Sequence, residues 1–251
     1  MPDFSSLLNS PLQWSLFFFC AVMVGMSKTG LQGIGTLTIP ILAFLFGAKN
    51  STGILLPILC MADIVAVVYY RRNTRFIYIL KLIPWAVAGL FVAIAVDKFI
   101  HPAAFKKLMA VCILLGLAVM FWSEHRNKVD EMAASKWFGP AFGIMGGFTT
   151  MIGNAAGPIM SVYLLSMRLP KYLFISTAAW FFLVINYLKL PLQIFFWKNI
   201  TIHTFLLDLT AIPFVFLGAF AGVKLVAWLP EKNFRMVIVV LTIVSTLMLL
   251  Y

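Results

Sequence analysis

The sequence predicts an all-α polytopic membrane protein built from two inverted structural repeats. Of its 251 residues, 63% are hydrophobic and only 11% are charged, and the mean hydropathy is +1.01. Continuous apolar runs recur along the chain, as in proteins with several membrane-spanning helices. A short apolar segment interrupted by glycines occurs at a corresponding place in each half, which is typical of transporters with broken helices. This composition excludes an ordinary soluble domain.

Each half contains five apolar segments. In the first repeat, residues 12–122, they cover 12–27, 34–47, 52–70, 77–97 and 105–122. In the second repeat, residues 137–251, they cover 137–151, 153–167, 173–197, 201–228 and 234–251, and a polar cytoplasmic linker over 123–136 separates the halves. The second segment of each half is roughly 21–23 Å long as a helix, which is short of a hydrocarbon core of ~30 Å. We therefore expect a broken or re-entrant helix pair followed by three long transmembrane helices in each repeat; short helices crossing a thinned bilayer are the alternative.

Weak internal similarity favours a duplication. The pattern Ile34-Gly35 followed by Pro40 recurs as Ile152-Gly153 followed by Pro158. A second pattern, Pro84 with Gly89, recurs in the same order as Pro213 with Gly218.

Basic residues predict that the repeats are inverted. The loop after the third segment carries Arg71, Arg72 and Arg75, whereas the corresponding loop of the second half carries only Lys198. Since cytoplasmic loops are enriched in Lys and Arg, corresponding loops are expected on opposite sides, with both termini outside. The net charge of +11 is then explained by loops that face anionic lipid, and we expect no nucleic-acid partner.

The first glycine-broken segment carries one lysine. Lys28 lies at the break, and four further candidate ligands follow it: Thr29, Gly30, Gln32 and Gly33. An ionisable residue at membrane depth is a functional candidate, and the free N–H groups of a following half-helix favour an anion. The alternative is that Lys28 only anchors the topology at a membrane surface.

The second glycine-broken segment carries neutral polar groups. Five of its residues are candidate ligands: Thr149, Thr150, Gly153, Asn154 and Gly157. The alternative for Asn154 is a helix N-cap, with Pro158 in the first helical turn.

Three further polar residues lie inside long apolar runs. Asp63 is a candidate for proton coupling; the alternatives are a fixed partner for Lys28 and a hydrogen bond between packed helices. Asn186 is a candidate substrate ligand, and Lys189 is expected either to snorkel or to face an aqueous cavity.

Several of these motifs resemble the sulfite exporter TauE/SafE family. They are Gly25-Met-Ser-Lys-Thr-Gly-Leu-Gln-Gly33 with Ile39-Pro40, Ser51-Thr-Gly-Ile-Leu-Leu-Pro57, and Gly147-Phe-Thr-Thr-Met-Ile-Gly-Asn-Ala-Ala-Gly-Pro158. The resemblance covers nearly the whole chain in order, although Ser27-Lys28-Thr29 departs from the family's commoner glycine-rich break. It implies a multi-pass transporter in the bacterial inner membrane that exports small anions such as sulfite, organosulfonates or related organic acids.

The function expected is therefore secondary transport of a small anion, held between the two broken helices near mid-membrane. An anion channel is the alternative, and a membrane-embedded enzyme is a weaker one because no catalytic motif is present. We expect no cofactor and no metal, since the three cysteines and three histidines are scattered without metal-ligand spacing. The expected partners are the substrate, the lipid bilayer and a second copy in a homodimer.

Overall fold

The structure is a computed structural model, and it describes residues 7–71, 74, 76–96, 114 and 136–250. Within these ranges the chain forms helices and no strand, which confirms the predicted all-α class. The predicted segment over 105–122 and nearly all of the linker lie outside the described residues.

The described helices of the first half match four predicted segments. They are α1 (Pro11–Thr29), α2 (Thr38–Phe46), α3 (Ala48–Tyr70) and α4 (Phe76–Val96), with a 3₁₀ helix over Ile34–Leu37 before α2. The Ser10 side chain begins α1 by accepting a hydrogen bond from the N–H of Gln13, and the side-chain oxygen of Gln13 in turn accepts one from the N–H of Ser10.

The second half contains six helices. They are α5 (Phe138–Gly153), α6 (Ala156–Ser166), α7 (Lys171–Leu192), α8 (Ile202–Thr210), α9 (Ile212–Trp228) and α10 (Glu231–Leu250), with a π-helical turn over Gln193–Trp197 that extends α7. The fourth segment of this half, predicted as one run over 201–228, is instead divided between α8 and α9 by a bend of 49°. Pro213 in the first turn of α9 explains the division, because a proline starts a helix readily but interrupts a continuous one.

Length and composition agree with a multi-pass membrane protein. Among the described helices, three are long and apolar enough to cross a membrane, or four if α8 and α9 together form one span. Short apolar helices occur at the two places where the sequence predicted them, over Ile34–Phe46 and Ala156–Ser166.

Two close helix crossings join the halves. A Cβ added to Gly25 of α1 would lie 2.1 Å from the carbonyl oxygen of Val215 in α9, and one added to Gly218 would lie 1.9 Å from that of Val22. The α4–α5 crossing has the same form: an added Cβ on Gly89 or Gly147 would lie 2.2 or 1.9 Å from a backbone oxygen of the facing helix. Glycine is required because any side chain would push these helices apart. The paired crossings favour a repeated architecture, while the inversion of the repeats stays a prediction.

The buried apolar residues form two main clusters. One is built on α4, α5, α6, α7 and α10, and the other on α1, α2, α3 and the α8–α9 junction. Leu31 of the first glycine break and Ala155 of the second both belong to the first cluster.

Candidate functional site

The two glycine breaks lie against each other. The first follows the end of α1, and Gly33 there has a φ of 104°, a conformation that favours glycine. The second lies between α5 and α6, where Asn154 is left-handed with a φ of 55°. A Cβ added to Gly157 would lie 3.5 Å from Oγ1 of Thr36, so the convergence of the breaks that the sequence predicted is observed.

A small cavity occupies the junction of the breaks. Seven of the predicted site residues line it: Lys28, Gln32, Gly33, Thr150, Asn154, Gly157 and Asn186. Six further lining residues were not singled out from the sequence as ligands: Ser27, Gly35, Thr36, Leu55, Leu59 and Phe182. The centre of a water molecule can occupy about 30 Å³ of this cavity. One water needs only ~10–15 Å³, so the space suits a ligand of a few atoms.

Four predicted site residues do not line the cavity. The Thr29 hydroxyl contacts the α1–α9 crossing, 2.8 Å from the carbonyl oxygen of Ala219, and Gly30 packs against Gly222 of α9. The Thr149 hydroxyl donates to a backbone oxygen one turn earlier in α5, and Gly153 is the last residue of that helix. These residues shape the walls rather than contribute polar groups to the space.

Lys28 forms an ion pair beside the cavity. Its Nζ lies 2.9 Å from Oδ1 of Asp63 and 3.8 Å from the centre of the Phe182 ring. The second carboxylate oxygen of Asp63 accepts a hydrogen bond of 2.6 Å from Nδ2 of Asn186. Asp63 is fully buried, and an ionised carboxylate at such a position requires partners of this kind.

Lys189 has a different set of partners. It is fully buried, and its Nζ donates to the side-chain oxygens of three neutral residues: Thr150 at 3.0 Å, Asn186 at 3.4 Å, and Asn154. Among the described residues, the one carboxylate at the site is that of Asp63, which pairs with Lys28. With both lysines protonated and Asp63 ionised, two positive charges and one negative charge leave the described site with a net charge of +1.

Sequence reasoning left the role of Lys189 open. A signal was present in the chain, since Asn186 and Lys189 are three residues apart and therefore lie on one face of a helix. What it lacked was the position of that face relative to the second break, which only the packing of α7 against α5 and α6 supplies.

The start of α6 adds further donors for an anion. The first N–H groups of any helix lack partners within the helix, and no side chain caps this one. The alternative reading of Asn154 as an N-cap is wrong, because Asn154 instead ends α5 and its N–H donates to the carbonyl oxygen of Thr150 at 3.0 Å. Asparagine is tolerated in the left-handed conformation needed there. Gly157, in the first turn of α6, consequently faces the cavity without an intervening cap.

The arrangement of groups at the site is suited to binding an anion. A positive charge, neutral donors and a helix N-terminus converge on one small space, and each favours an anion. Among the described residues, no group of three His, Cys, Asp or Glu side chains could hold a metal ion.

Comparison with known proteins agrees with this chemistry. No curated protein and no solved structure matches the chain. A model of the sulfite exporter TauE/SafE family matches residues 17–249, nearly the whole sequence. The chain therefore belongs to the sulfite exporter TauE/SafE family and is a multi-pass membrane transporter.

Proposed function

We propose that this protein is a secondary transporter that exports a small anion across the bacterial inner membrane, with sulfite, small organosulfonates and related organic acids as the substrate class. The observation that carries the proposal is Lys189, a fully buried lysine beside a cavity whose hydrogen-bond partners among the described residues are all neutral oxygens. An unpaired buried charge is costly, and an anionic substrate is the counter-charge that would offset this cost.

The proposed binding mode places the anion between the two breaks near mid-membrane. Its negative charge is attracted by Lys189 and by the N-terminus of α6, and Thr150 and Asn154 provide further polar contacts. The small volume of the cavity favours an oxyanion of a few atoms over a bulky sulfonate.

Asp63 is the proposed site of proton coupling. Protonation of its carboxylate would break the ion pair with Lys28, whose ammonium, a cavity-lining group, would then be available to the anion. Proton uptake and anion binding would thereby favour each other, so proton and anion would cross in the same direction. Export would then be driven by an outward anion gradient that exceeds the inward proton gradient. Asp63→Asn is expected to abolish transport driven by a pH gradient and to leave anion-for-anion exchange measurable. If transport driven by a pH gradient persists unchanged in this variant, the role of Asp63 is purely structural.

The transport cycle would use the two repeats on opposite sides of the membrane. Cysteines introduced beside Arg72 and Lys198 should react with impermeant reagents from opposite sides. Labelling of both from the same side would refute the inverted arrangement. A homodimer stays a prediction, which the mass of the purified protein in detergent would test.

The central experiment is a binding and flux screen. Purified protein would be titrated with sulfite, methanesulfonate and acetate, with choline as a cationic control, and flux would then be measured in proteoliposomes. We expect saturable binding of at least one anion, none of choline, and counterflow of labelled anion driven by unlabelled anion on the other side. Unitary currents without counterflow would favour the anion channel, and no anion binding by folded protein would refute the proposed function.

A further inference from the structure

A line of buried polar side chains leaves the cavity along α7. Asn186, Lys189 and Gln193 follow one another at spacings of three and four residues, so they lie on one helix face. All three are buried. Among the residues that the structure describes, neither Oε1 nor Nε2 of Gln193 has a hydrogen-bond partner, although the side chain is fully buried. Burying such a group without a partner is costly, which points to a partner that occupies the position only transiently.

A second line of polar groups runs from the cavity past α3 and also ends at Gln193. Asn154 donates to the carbonyl oxygen of Thr52 at 3.0 Å, and Nδ2 of Asn199 donates to Oγ1 of the same threonine at 3.0 Å. The N–H of Asn199 then donates to the carbonyl oxygen of Gln193 at 3.3 Å. The side-chain oxygen Oδ1 of Asn199 also lacks a partner within the described part of the chain. The two lines therefore end together at Gln193 and Asn199, where three buried polar atoms are unsatisfied.

The backbone changes where the two lines meet. The π-helical turn begins at Gln193, and Lys198 after it has a positive φ of 51°. Single π turns widen a helix and occur frequently at functional positions. Beyond this point lie Lys49 and Lys198, which are exposed, and the carbonyl oxygen of Lys49 accepts a hydrogen bond from Asn199 at 3.1 Å.

We infer that Gln193 and Asn199 form a second binding position for the transported oxyanion, between the cavity and the surface that carries Lys49 and Lys198. This inference rests on the proposed function. The amide N–H groups of Gln193 would donate to the anion, while Oε1 of Gln193 and Oδ1 of Asn199 would accept from its hydration water. A neutral position next to Lys189 would bind the anion more weakly than the cavity does. Release requires such a position, because a transport path must bind an ion strongly enough to admit it and weakly enough to let it leave.

Accessibility of Gln193 tests the path directly. Gln193→Cys in the full chain would be treated with a methanethiosulfonate reagent that carries a sulfonate, and Ile194→Cys is the matched control on the exposed face of the same turn. The wild type measures the background from native cysteines. Ile194 is 41% exposed and Gln193 is fully buried. We nevertheless expect Gln193→Cys to react at least about tenfold faster, because a thiol must be hydrated to ionise and react, and the proposed path brings water to position 193. Methanesulfonate should slow that reaction at least about threefold by occupying the position.

Transport by two isosteric variants tests the role of the amide. Gln193→Met should lower the transport rate at least about fivefold and leave anion affinity at the cavity within about twofold, since it removes the donor of the second position only. Gln193→Glu should block anion transport more strongly, by repulsion.

The outcomes separate the path from the proposed function. A wild type that binds no anion refutes the proposed function, whatever the reactivity of Gln193→Cys. If the wild type binds and transports the anion while Gln193→Cys is unreactive and Gln193→Met transports normally, the second position alone is refuted. Reaction with a trimethylammonium reagent but not with the sulfonate reagent, each relative to free cysteine, would also refute it by assigning the path to water or cations.

Discussion

The two buried lysines beside the cavity occupy opposite electrostatic surroundings. Lys28, at the first break, contacts the Asp63 carboxylate at 2.9 Å and the face of the Phe182 ring. Lys189, next to the second break, has as its hydrogen-bond partners among the described residues the neutral oxygens of Thr150, Asn154 and Asn186. The positive charge of Lys28 is thus offset inside the protein, whereas that of Lys189 is not.

In the proposed function this difference divides the work of anion binding between the lysines. Lys189 would meet the anion directly, while Lys28 would do so only when its pair with Asp63 is broken. The intramembrane lysine that was prominent in the sequence is therefore the ion-paired one, and Lys189, whose hydrogen-bond partners are neutral, lies on a helix outside both glycine breaks. Four substitutions test this division.

Lys189→Gln should have the largest effect. It removes the positive charge but keeps a donor for Thr150 and Asn154, so anion affinity should fall about 100-fold, ~2.7 kcal/mol. Titration calorimetry with methanesulfonate measures it. Lys224→Gln, at an exposed lysine that contacts the Phe220 ring, is the control and should bind like the wild type. Equal affinity in Lys189→Gln and the wild type would show that the unpaired ammonium does not serve the anion.

Asn154→Asp should make Lys189 resemble Lys28. The new carboxylate pairs with Lys189 and cancels the net charge, so affinity should fall about thirtyfold, ~2 kcal/mol. Asn154→Gly is the control, because glycine keeps the left-handed backbone and adds no charge. The two variants both lose the Asn154 amide but differ in charge. If anion affinity falls by a similar factor in both, the loss comes from the missing hydrogen bonds and not from the added charge.

Lys28→Gln should have a smaller effect that a second substitution reverses. Removing Lys28 leaves Asp63 as an uncompensated negative charge, and affinity should fall about tenfold, ~1.4 kcal/mol. In the double variant Lys28→Gln/Asp63→Asn the whole pair is neutral and Lys189 remains, so affinity should return to within about threefold of the wild type. A double variant as weak as Lys28→Gln would mean that Lys28 itself binds the anion at all times.

Asp63→Asn alone should change affinity least. It frees Lys28 permanently, so binding at neutral pH should strengthen about threefold. In the wild type, acidification protonates Asp63 and frees Lys28, so affinity should rise as the pH falls; in the variant this dependence should disappear. Methanesulfonate is the suitable probe because it stays anionic throughout, and a pH dependence retained in Asp63→Asn would place the titrating group elsewhere.

Much of the fold follows from hydropathy alone. The helix α1, predicted over 12–27, is observed over Pro11–Thr29, because the apolar run has sharp ends. The helix α3 begins at Ala48 rather than at 52, since its first turn is polar and lacks the apolar signal on which the prediction relied. The bend between α8 and α9 was missed because both helices are apolar, and only Pro213 indicated it.

The site was predictable only in part, for a geometrical reason. Glycines and polar residues identify where a helix breaks, so Lys28, Asn154 and Gly157 were found. They do not reveal which way a side chain turns at the end of a helix, and Thr29 consequently faces α9 rather than the cavity. Lys189 belongs to a long helix, and its role depends on contacts across 35 and 39 residues that local patterns do not encode.

The α1–α9 crossing has a consequence for biosynthesis. Thr29 bonds to a residue 190 positions later in the chain, and Gly25 approaches the same helix. At about 5–20 residues per second, α1 would be made ~10–40 s before α9 exists. During that interval the polar end of α1, with Lys28, has neither its helix partner nor the remaining wall of the cavity. The helix α1 is thus made long before it can complete its final contacts, and the segment that carries Lys28 would depend on protection by the insertion machinery during that interval.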